Sequence, residues 1–209
     1  MRLPKTAHAS RSWRIHEIAS DFRLEDVWTL PMTGGPDDFP YLVHQMANDA
    51  ASKTTTSSPV CRGLLEVRWA LGRWLGWDKS GAGIGARVRT LRDRLPTDLR
   101  EAPRGPDCRS LPFTSVYQLH DEWAAETANR TVHAVMHIGW VPDETGGCRG
   151  RMAVLVKPNG PFGAAYMAAI KPFRYLVVYP ALFRAMEREW QASAGERSGR
   201  PAHRLGPRP

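Results

Sequence analysis

Length, composition and charge together describe a globular protein with basic ends. The 209 residues suffice for one domain with tails or at most two small domains, and a 42% hydrophobic content with eight tryptophans predicts a substantial core. Residues 1–14 carry four basic side chains and no acidic one, and residues 193–209 carry four arginines against one glutamate. Because nucleic-acid-binding proteins concentrate positive charge on a folded face, a nearly neutral body argues against nucleic acid as a partner.

The sequence gives no sign of export or membrane insertion. Residues 1–12 lack the apolar run of a signal peptide, and the longest apolar run, residues 175–183, is too short to span a bilayer and contains Pro180. The three cysteines are odd in number and widely spaced, which predicts free thiols in a reducing compartment. We therefore expect a cytoplasmic protein without a transmembrane segment.

The first elements are predicted from alternation and capping signals. Alternating apolar residues predict a strand at 13–18, and Asp21 is placed to cap a short helix at 22–30, which the following proline ends. The next helix is expected to begin at Asp37 or Asp38.

Residues 51 to 112 contain helices of different strength and a long insert. The helix that begins near Asp38 is expected to end at about residue 51. Helical spacing of leucine and tryptophan predicts a strong helix at 64–75, and a weaker one is expected at 84–95. The Gly- and Pro-rich insert at 78–112 is expected to be flexible.

From residue 113 the hydrophobic period changes to two, which predicts a meander of antiparallel strands. The four predicted strands are residues 113–119, 122–128, 132–141 and 149–157. A long helical segment is then expected from Pro161 towards residue 191, with Pro172 and Pro180 kinking or interrupting it. Because this helix has one apolar face to bury, we predict an α+β fold in which a curved antiparallel sheet wraps around a long kinked C-terminal helix.

Seven segments resemble one known family. They are DFRLEDVW at 21–28, GGPDDF at 34–39, RWALGRWLGW at 68–77, DEWAAE at 121–126, NRTVH at 129–133, VLVKPNG at 154–160 and YMAAIKPF at 166–173. These segments resemble the DUF2867 family, a domain of unknown function, and the resemblance covers roughly residues 13–191. The family is similar to the START-like helix-grip superfamily (polyketide cyclase/SRPBCC), whose members bind apolar molecules between a sheet and a C-terminal helix.

The resemblance implies a START-like helix-grip domain but no catalytic residue. The expected organisation is a disordered basic tail at 1–11, the domain at 12–192 and a second disordered basic tail at 193–209. The long insert and the absence of the dehydrogenase-like domain that is fused to some family members are departures from the pattern.

The hairpin at 122–141 holds the candidate catalytic residues, which are Glu122, Glu126, His133 and His137. If a two-residue turn joins the strands, Glu126 lies opposite His133 and Glu122 lies opposite His137. Such groups form a carboxylate–histidine acid–base pair or a divalent-metal site. The alternative, which we favour because such pairs are common, is a set of cross-strand charge pairs on a solvated outer face. No metal or other cofactor is assigned.

The opposite face is predicted to line a cavity for a small hydrophobic molecule. The candidate ligand-binding residues are Trp123, Met136, Trp140, Tyr166, Ile170, Phe173 and Tyr179. Core packing is the competing interpretation for each of them. The leading functional hypothesis is a binding module for this molecule. The alternatives are an enzyme on the same scaffold, such as a cyclase, isomerase or hydratase of a polyketide-like metabolite, and an accessory protein that docks through its basic tails. The sequence leaves ligand identity and oligomeric state open.

Overall fold

The computed structural model describes residues 1–48, 84, 88–108, 111–129, 131–173, 175 and 179–193. In these residues the chain forms an α+β fold around a five-stranded antiparallel sheet with the strand order β1-β5-β4-β3-β2. The strands are β1 Arg23–Gly34, β2 Thr114–Gln118, β3 Glu122–Ala128, β4 Val132–Pro142 and β5 Cys148–Pro158. β4 is therefore the central strand, and β1 and β2 form the edges.

Short helices precede and separate the strands, and two helices of 14 residues follow them. The helices are α1 Thr6–Ala9, α2 Ile15–Ile18, α3 Phe39–Asn48, α4 Thr97–Glu101, α5 Gly160–Phe173 and α6 Tyr179–Ala192, with single 3-10 turns at Pro36–Asp38 and Leu91–Arg94. Across the part of the chain that the structure describes, no helix combines the length and apolarity needed to cross a membrane.

The predicted meander is confirmed. Strands β2 to β5 reproduce the four predicted segments to within one residue at each end. The helix start at the aspartate pair is also confirmed, because Asp38 Oδ2 accepts a hydrogen bond from the backbone N–H of Gly35 at 2.9 Å and α3 begins at Phe39. Residues 49–51, the predicted end of that helix, lie outside the described residues.

Strand β1 stands where a short helix was expected at residues 22–30. Trp28, Leu30 and Met32 alternate along this strand and are all buried on one side of the sheet. Their period of two, together with pairing to β5, outweighs the capping signal of Asp21.

Pro31, which was expected to end a helix, lies inside β1. The pairing with β5 is irregular between Thr29 and Thr33, and Pro31 falls in this irregularity. An edge strand with a bulge tolerates a residue that has no backbone N–H to donate.

The N-terminal residues are not a disordered tail, and residues 13–18 are not a strand. Residues 1–11 pack against the sheet through α1, where His8 is only 1% exposed, and the backbone N–H of Leu3 donates to Val27 O at 2.9 Å. The basic side chains of this segment stay exposed while its one imidazole is buried. Composition alone therefore gave the wrong prediction for it.

Part of the predicted flexible insert is also packed on the sheet. Leu91, Leu95 and Leu99 are fully buried in the segment 88–101, which forms a 3-10 turn and α4 in place of the weaker helix expected at 84–95. The predicted helix at 64–75, the first residues of the insert at 78–83 and the C-terminal tail at 194–209 lie outside the described residues.

Both sides of the sheet are consequently covered. The first face carries Trp28, Leu30, Met32, Trp123, Met136, Ile138, Trp140 and Met152, and it packs against α3 and α6. The second face carries Val27, Ala124, Val135, Val141, Ala153 and Leu155, and it packs against residues 13–22 and 91–99. The central strand β4 is buried along almost its whole length as a result.

The single long C-terminal helix is not confirmed. Helix α5 ends at Phe173, and α6 begins at Tyr179. Pro172 is close to the end of α5, and Pro180 is in the first turn of α6, where a missing N–H is tolerated. Tyr175 between the two helices is π-helical, and residues 174 and 176–178 lie outside the described residues.

Candidate functional site

The hairpin formed by β3 and β4 carries the four candidate catalytic residues in a register that differs from the expected one. Ala124 lies opposite His137, and Ala128 lies opposite His133. The prediction that each glutamate directly faces a histidine is therefore wrong. Each glutamate instead lies diagonally across from its histidine on the same face, which is still within reach of long side chains.

The turn of this hairpin explains the difference. Asn129 N donates to Val132 O at 2.9 Å, so Asn129 pairs with Val132 instead of lying in the turn, and each residue of β3 faces a β4 residue two positions later than expected. The side-chain oxygen of Asn129 accepts hydrogen bonds from the backbone N–H groups of Thr131 and Val132 at 2.9 and 3.1 Å. This local capping is typical of asparagine in turns.

The four candidate residues are deeply buried, which excludes the interpretation that we favoured. Glu122, Glu126, His133 and His137 are each at most 3% exposed. The hypothesis of charge pairs on a solvated outer face is wrong because residues 1–22 and 88–101 cover that face. Burial of these carboxylates is tolerable only because hydrogen-bond donors compensate for the lost water.

The structure divides the four residues into two pairs. Glu122 Oε2 lies 2.9 Å from His137 Nε2, and Glu126 Oε2 lies 2.7 Å from His133 Nε2. Within the described residues, no three His, Cys, Asp or Glu side chains are arranged to hold a metal ion. The expectation that all four groups converge on one site is therefore not met.

Glu122 accepts hydrogen bonds at both carboxylate oxygens. Oε2 accepts from the Tyr117 hydroxyl at 3.1 Å and from His137, and Oε1 accepts from the backbone N–H of Arg14 at 3.1 Å. Burial opposes ionisation, but the hydrogen bonds and the charge interaction with His137 outweigh it and lower the pKa of Glu122. Burial, and then the charge of Glu122, raise the pKa of Tyr117 well above its ordinary value, so the phenol remains a donor.

A chain of three imidazoles leads from half-buried His16 to Glu122. His16 Nε2 lies 3.0 Å from His8 Nδ1, and His8 Nε2 lies 3.1 Å from His137 Nδ1. When His137 Nε2–H donates to Glu122, its Nδ1 accepts from His8 Nε2–H, and His8 Nδ1 accepts from His16 Nε2–H. Burial above all, and then the neighbouring His137, His16 and Arg151, lower the pKa of His8 to about 2.

Glu126 is held by the segment that covers this part of the second face. Its carboxylate accepts hydrogen bonds from the Thr90 hydroxyl, from the backbone N–H of Leu91 at 3.1 Å and from His133. The Phe22 ring lies edge-on to the His133 ring at 4.8 Å. Leu91 and Phe22 thus close the pair off with apolar groups.

A carboxylate–imidazole pair is a common unit of acid–base catalysis, but both pairs are enclosed by protein. Each oxygen of Glu122 and Glu126 has a donor from the protein itself. The arrangement on the second face therefore fixes the N-terminal and 88–101 segments to the sheet. His16 is the point at which this network approaches solvent.

The first face brings together four of the seven predicted ligand-binding residues. Trp123, Met136, Trp140 and Tyr179 belong to one buried apolar cluster with α3 and α6. The side chains at positions 166, 170 and 173, the other three candidates, lie outside what the structure describes, although their backbone forms part of α5.

Trp28 differs from other tryptophans that pack in the same cluster. The indole N–H groups of Trp123, Trp140 and Trp190 donate to protein oxygens at 2.8, 2.9 and 3.0 Å, respectively. Trp28 Nε1 is buried and has no hydrogen-bond partner in the described part of the chain. Trp28 is therefore an unsatisfied donor next to three satisfied indoles.

A buried carboxylate lies beside Trp28 on the same face of β1. Asp26 is 1% exposed, and its two oxygens accept hydrogen bonds from the hydroxyl of Tyr175 and, at 3.1 Å, from that of Tyr179. The two phenol rings lie 6.0 and 4.9 Å from the Trp28 ring. The sequence indicated Tyr179 but missed Asp26 and Trp28, because residues 22–30 were predicted to be helical. Alternation at every second residue from 26 to 32 was the available signal.

A surface cleft of about 340 Å³ opens next to this group, between β1 and α6. Leu30 and Phe183 give it an apolar lining, and Arg149, Arg184 and Glu187 give it charges of both signs. The Phe183 ring lies 5.3 Å from the Trp28 ring, so the cleft adjoins the aromatic layer.

The described cysteines offer no activated nucleophile. Cys108 and Cys148 are free thiols, as the sequence predicted, while Cys61 lies outside the described residues. Burial, and then the charge of Asp107, raise the pKa of Cys108 to about 11, so this thiol is protonated at neutral pH.

Comparison with known proteins places the chain in a family. A family model described as "Protein of unknown function (DUF2867)" matches residues 18–181. The match contains Asp26, Trp28 and both glutamate–histidine pairs but not His8 or His16. No curated protein matches the chain. Because the model covers most of the sequence, the chain belongs to the DUF2867 family.

Proposed function

We propose that this DUF2867 member binds a small, largely apolar molecule between the first face of the sheet and its C-terminal helices. The proposal includes the START-like helix-grip relationship that the sequence resemblance implies. An antiparallel meander followed by α5 and α6 supports it, because this order places helices after the sheet as such a fold requires. The α6 residues that pack in the first-face cluster support it as well.

The unpaired indole N–H of Trp28 is the observation that carries the proposal. A buried donor without an acceptor costs about 1–3 kcal/mol, so its retention needs an explanation. A hydrogen-bond acceptor on a bound molecule would remove this cost. The neighbouring Asp26 carboxylate with its two tyrosines would orient a polar group of the same molecule.

The surroundings indicate the chemistry of the ligand. Tyr175, Tyr179 and Phe183 present ring surfaces to Trp28, which suits a molecule with a ring system or a hydrocarbon chain. The adjoining cleft has the volume of a small-molecule site and is lined by Arg149, Arg184 and Glu187 besides apolar groups. An apolar body with a polar end therefore fits best.

The first test is to identify what the protein carries. Native mass spectrometry of the protein purified from its own host should detect a bound small molecule, and removal of that molecule should lower the melting temperature. Anilinonaphthalene sulfonate, an apolar anion, serves as the probe for the emptied protein. Its affinity is measured for the wild type, for Trp28→Phe and for Trp13→Phe.

Trp13→Phe is a matched control because Trp13 also has a buried, unpaired indole N–H but lies on the second face. We expect Trp28→Phe to weaken probe binding about 5- to 10-fold, which corresponds to one lost hydrogen bond, and Trp13→Phe to change it less than about 2-fold. Equal effects of the two substitutions, or no probe binding by the wild type, would contradict the proposal.

An enzyme on the same scaffold is the second candidate, and buried Asp26 favours it. A carboxylate hydrogen-bonded to two phenols in an apolar layer is a suitable acid–base group for a bound metabolite. With the natural ligand identified, Asp26→Asn should abolish its conversion and retain its binding if the protein is an enzyme. Docking through the basic tails stays a prediction.

A further inference from the structure

One imidazole lies at the centre of the contact between α1 and the sheet, and backbone hydrogen bonds of Met1 and Leu3 to β1 hold the segment that precedes α1. His8 is 1% exposed and is hydrogen-bonded through both ring nitrogens, to His137 on β4 and to His16 on α2. The rings of His16 and His137 lie edge-on to it at 4.8 and 4.9 Å. Trp13 packs on the His137 ring at 5.2 Å, so the same place joins α1, α2 and the central strand.

Few groups near His8 would stabilise a positive charge on it. Arg151 of β5 donates to the backbone carbonyl of Ala7 at 2.6 Å, and its charge opposes protonation of His8. Glu122 of β3 is separated from His8 by His137 and is already bonded to Tyr117 of β2 and to Arg14 N. Arg11, next to α1, adds a further positive charge over the Trp13 ring.

The hydrogen-bond directions favour a neutral His8. With Glu122 as the terminal acceptor, His8 Nε2–H donates to His137, and His8 Nδ1 accepts from His16. A proton added at Nδ1 would meet the N–H of His16, and this contact would persist only if His16 moved its own proton to Nδ1. The added charge would also be buried next to Arg151, so the closed arrangement favours a neutral His8.

We propose that residues 1–11 form a pH-sensitive cover over the Glu122–His137 pair, which His8 holds closed when neutral and which opens when His8 takes up a proton. Opening exposes the carboxylate–imidazole pair and the Trp13 indole while the rest of the sheet stays folded. The cover is a short segment with a four-residue helix, so its release requires far less disruption than unfolding of the sheet.

The direction of the pH dependence follows from the difference between the closed and open forms. His8 has a pKa of about 2 when closed and returns to the ordinary value of 6.5 when released. Below pH 6.5 the open form therefore binds a proton that the closed form does not bind. The free energy that favours the closed form is at its full value above pH 6.5 and decreases as the pH falls below it. At pH 5.0 the opening equilibrium should be about 30-fold more favourable than at pH 7.5. Burial also lowers the pKa of His16, which acts in the same direction.

Hydrogen–deuterium exchange of the full chain tests the proposal. The amide N–H groups of Ala9, Ser10 and Arg11 are hydrogen-bonded within the cover, and those of β4 serve as the internal reference. After correction for the intrinsic effect of pH, protection of the cover should fall about 30-fold between pH 7.5 and 5.0, while β4 stays protected. His8→Gln, which cannot titrate, should reduce this fall to a few-fold.

His120→Gln is the control variant, because His120 is exposed and outside the network. It should behave like the wild type. The proposal is overturned if cover protection does not change with pH, if His8→Gln shows the same fall, or if β4 loses protection in parallel, which would mean global unfolding. The comparison of cover and β4 in the unchanged protein decides the matter even if His8→Gln does not fold.

Discussion

On the second face of the sheet both buried glutamates receive hydrogen bonds at each carboxylate oxygen, whereas on the first face the buried indole of Trp28 has no partner. Both faces are covered by other parts of the chain and both carry tryptophan. Each face also buries one indole N–H that has no partner among the described residues, Trp13 on the second face and Trp28 on the first, but the Trp28 ring adjoins a surface cleft through Phe183.

This difference underlies our proposal that the second face is a structural network and the first face a binding layer. A buried carboxylate–imidazole pair whose carboxylate oxygens each accept a hydrogen bond from the protein holds two segments in one arrangement. An unpaired donor in an aromatic layer beside a cleft retains the capacity to bind something else. The residues that look most like catalytic groups in the sequence are therefore the ones that the fold uses internally.

Removal of one network carboxylate should have the largest effect on stability. Glu126→Ala leaves His133, Thr90 and the N–H of Leu91 without their acceptor in a buried site. We expect a loss of about 3–5 kcal/mol in the free energy of unfolding, measured by urea denaturation. Glu144→Ala, at an exposed position, should change it by less than about 0.5 kcal/mol. A loss below about 1 kcal/mol for Glu126→Ala would show that the pair behaves as a solvated surface pair.

Added methyl groups should distinguish the packing of the two faces. A Cβ at Gly139 would lie 2.7 Å from the Trp13 ring on the second face, whereas a Cβ at Gly150 would lie 3.0 Å from a terminal methyl carbon of Leu30 on the first. Gly139→Ala should therefore cost about 1–3 kcal/mol, and Gly150→Ala should cost less because a leucine methyl can shift. Thermal unfolding of the two variants measures this, and a larger effect at Gly150 would mean that the first face is the more rigid one.

The sheet was predictable because its strands alternate locally. Strands β2 to β5 were predicted from a period of two, and the placement of Trp123, Met136 and Trp140 on one face follows from the same pattern. A shift in pairing that keeps odd and even positions together does not change the faces, so the incorrect register of Glu122 and His137 left the face assignment correct.

What covers each face could not be predicted from local patterns. The N-terminal segment is basic and polar, yet His8 docks it on β4 through a contact 129 residues away in the chain. Alternating glutamate and histidine predict an exposed strand face, because the buried hydrogen-bond partners that would allow them to be buried cannot be recognised from the local sequence. Asp26 was missed because residues 22–30 were predicted to be helical, and its tyrosine partners lie about 150 residues further along the chain.

The central claim, that the first face holds a ligand at Trp28, can be tested directly by its indole N–H resonance. Proton–nitrogen correlation NMR reports the two unpaired indoles separately once Trp28→Phe and Trp13→Phe have assigned them. On titration with anilinonaphthalene sulfonate or with the molecule carried by the native protein, the Trp28 N–H should move downfield as it gains an acceptor, and the Trp13 N–H should stay in place. A Trp28 resonance that does not move while the ligand binds, or an equal shift of both indoles, would contradict the account.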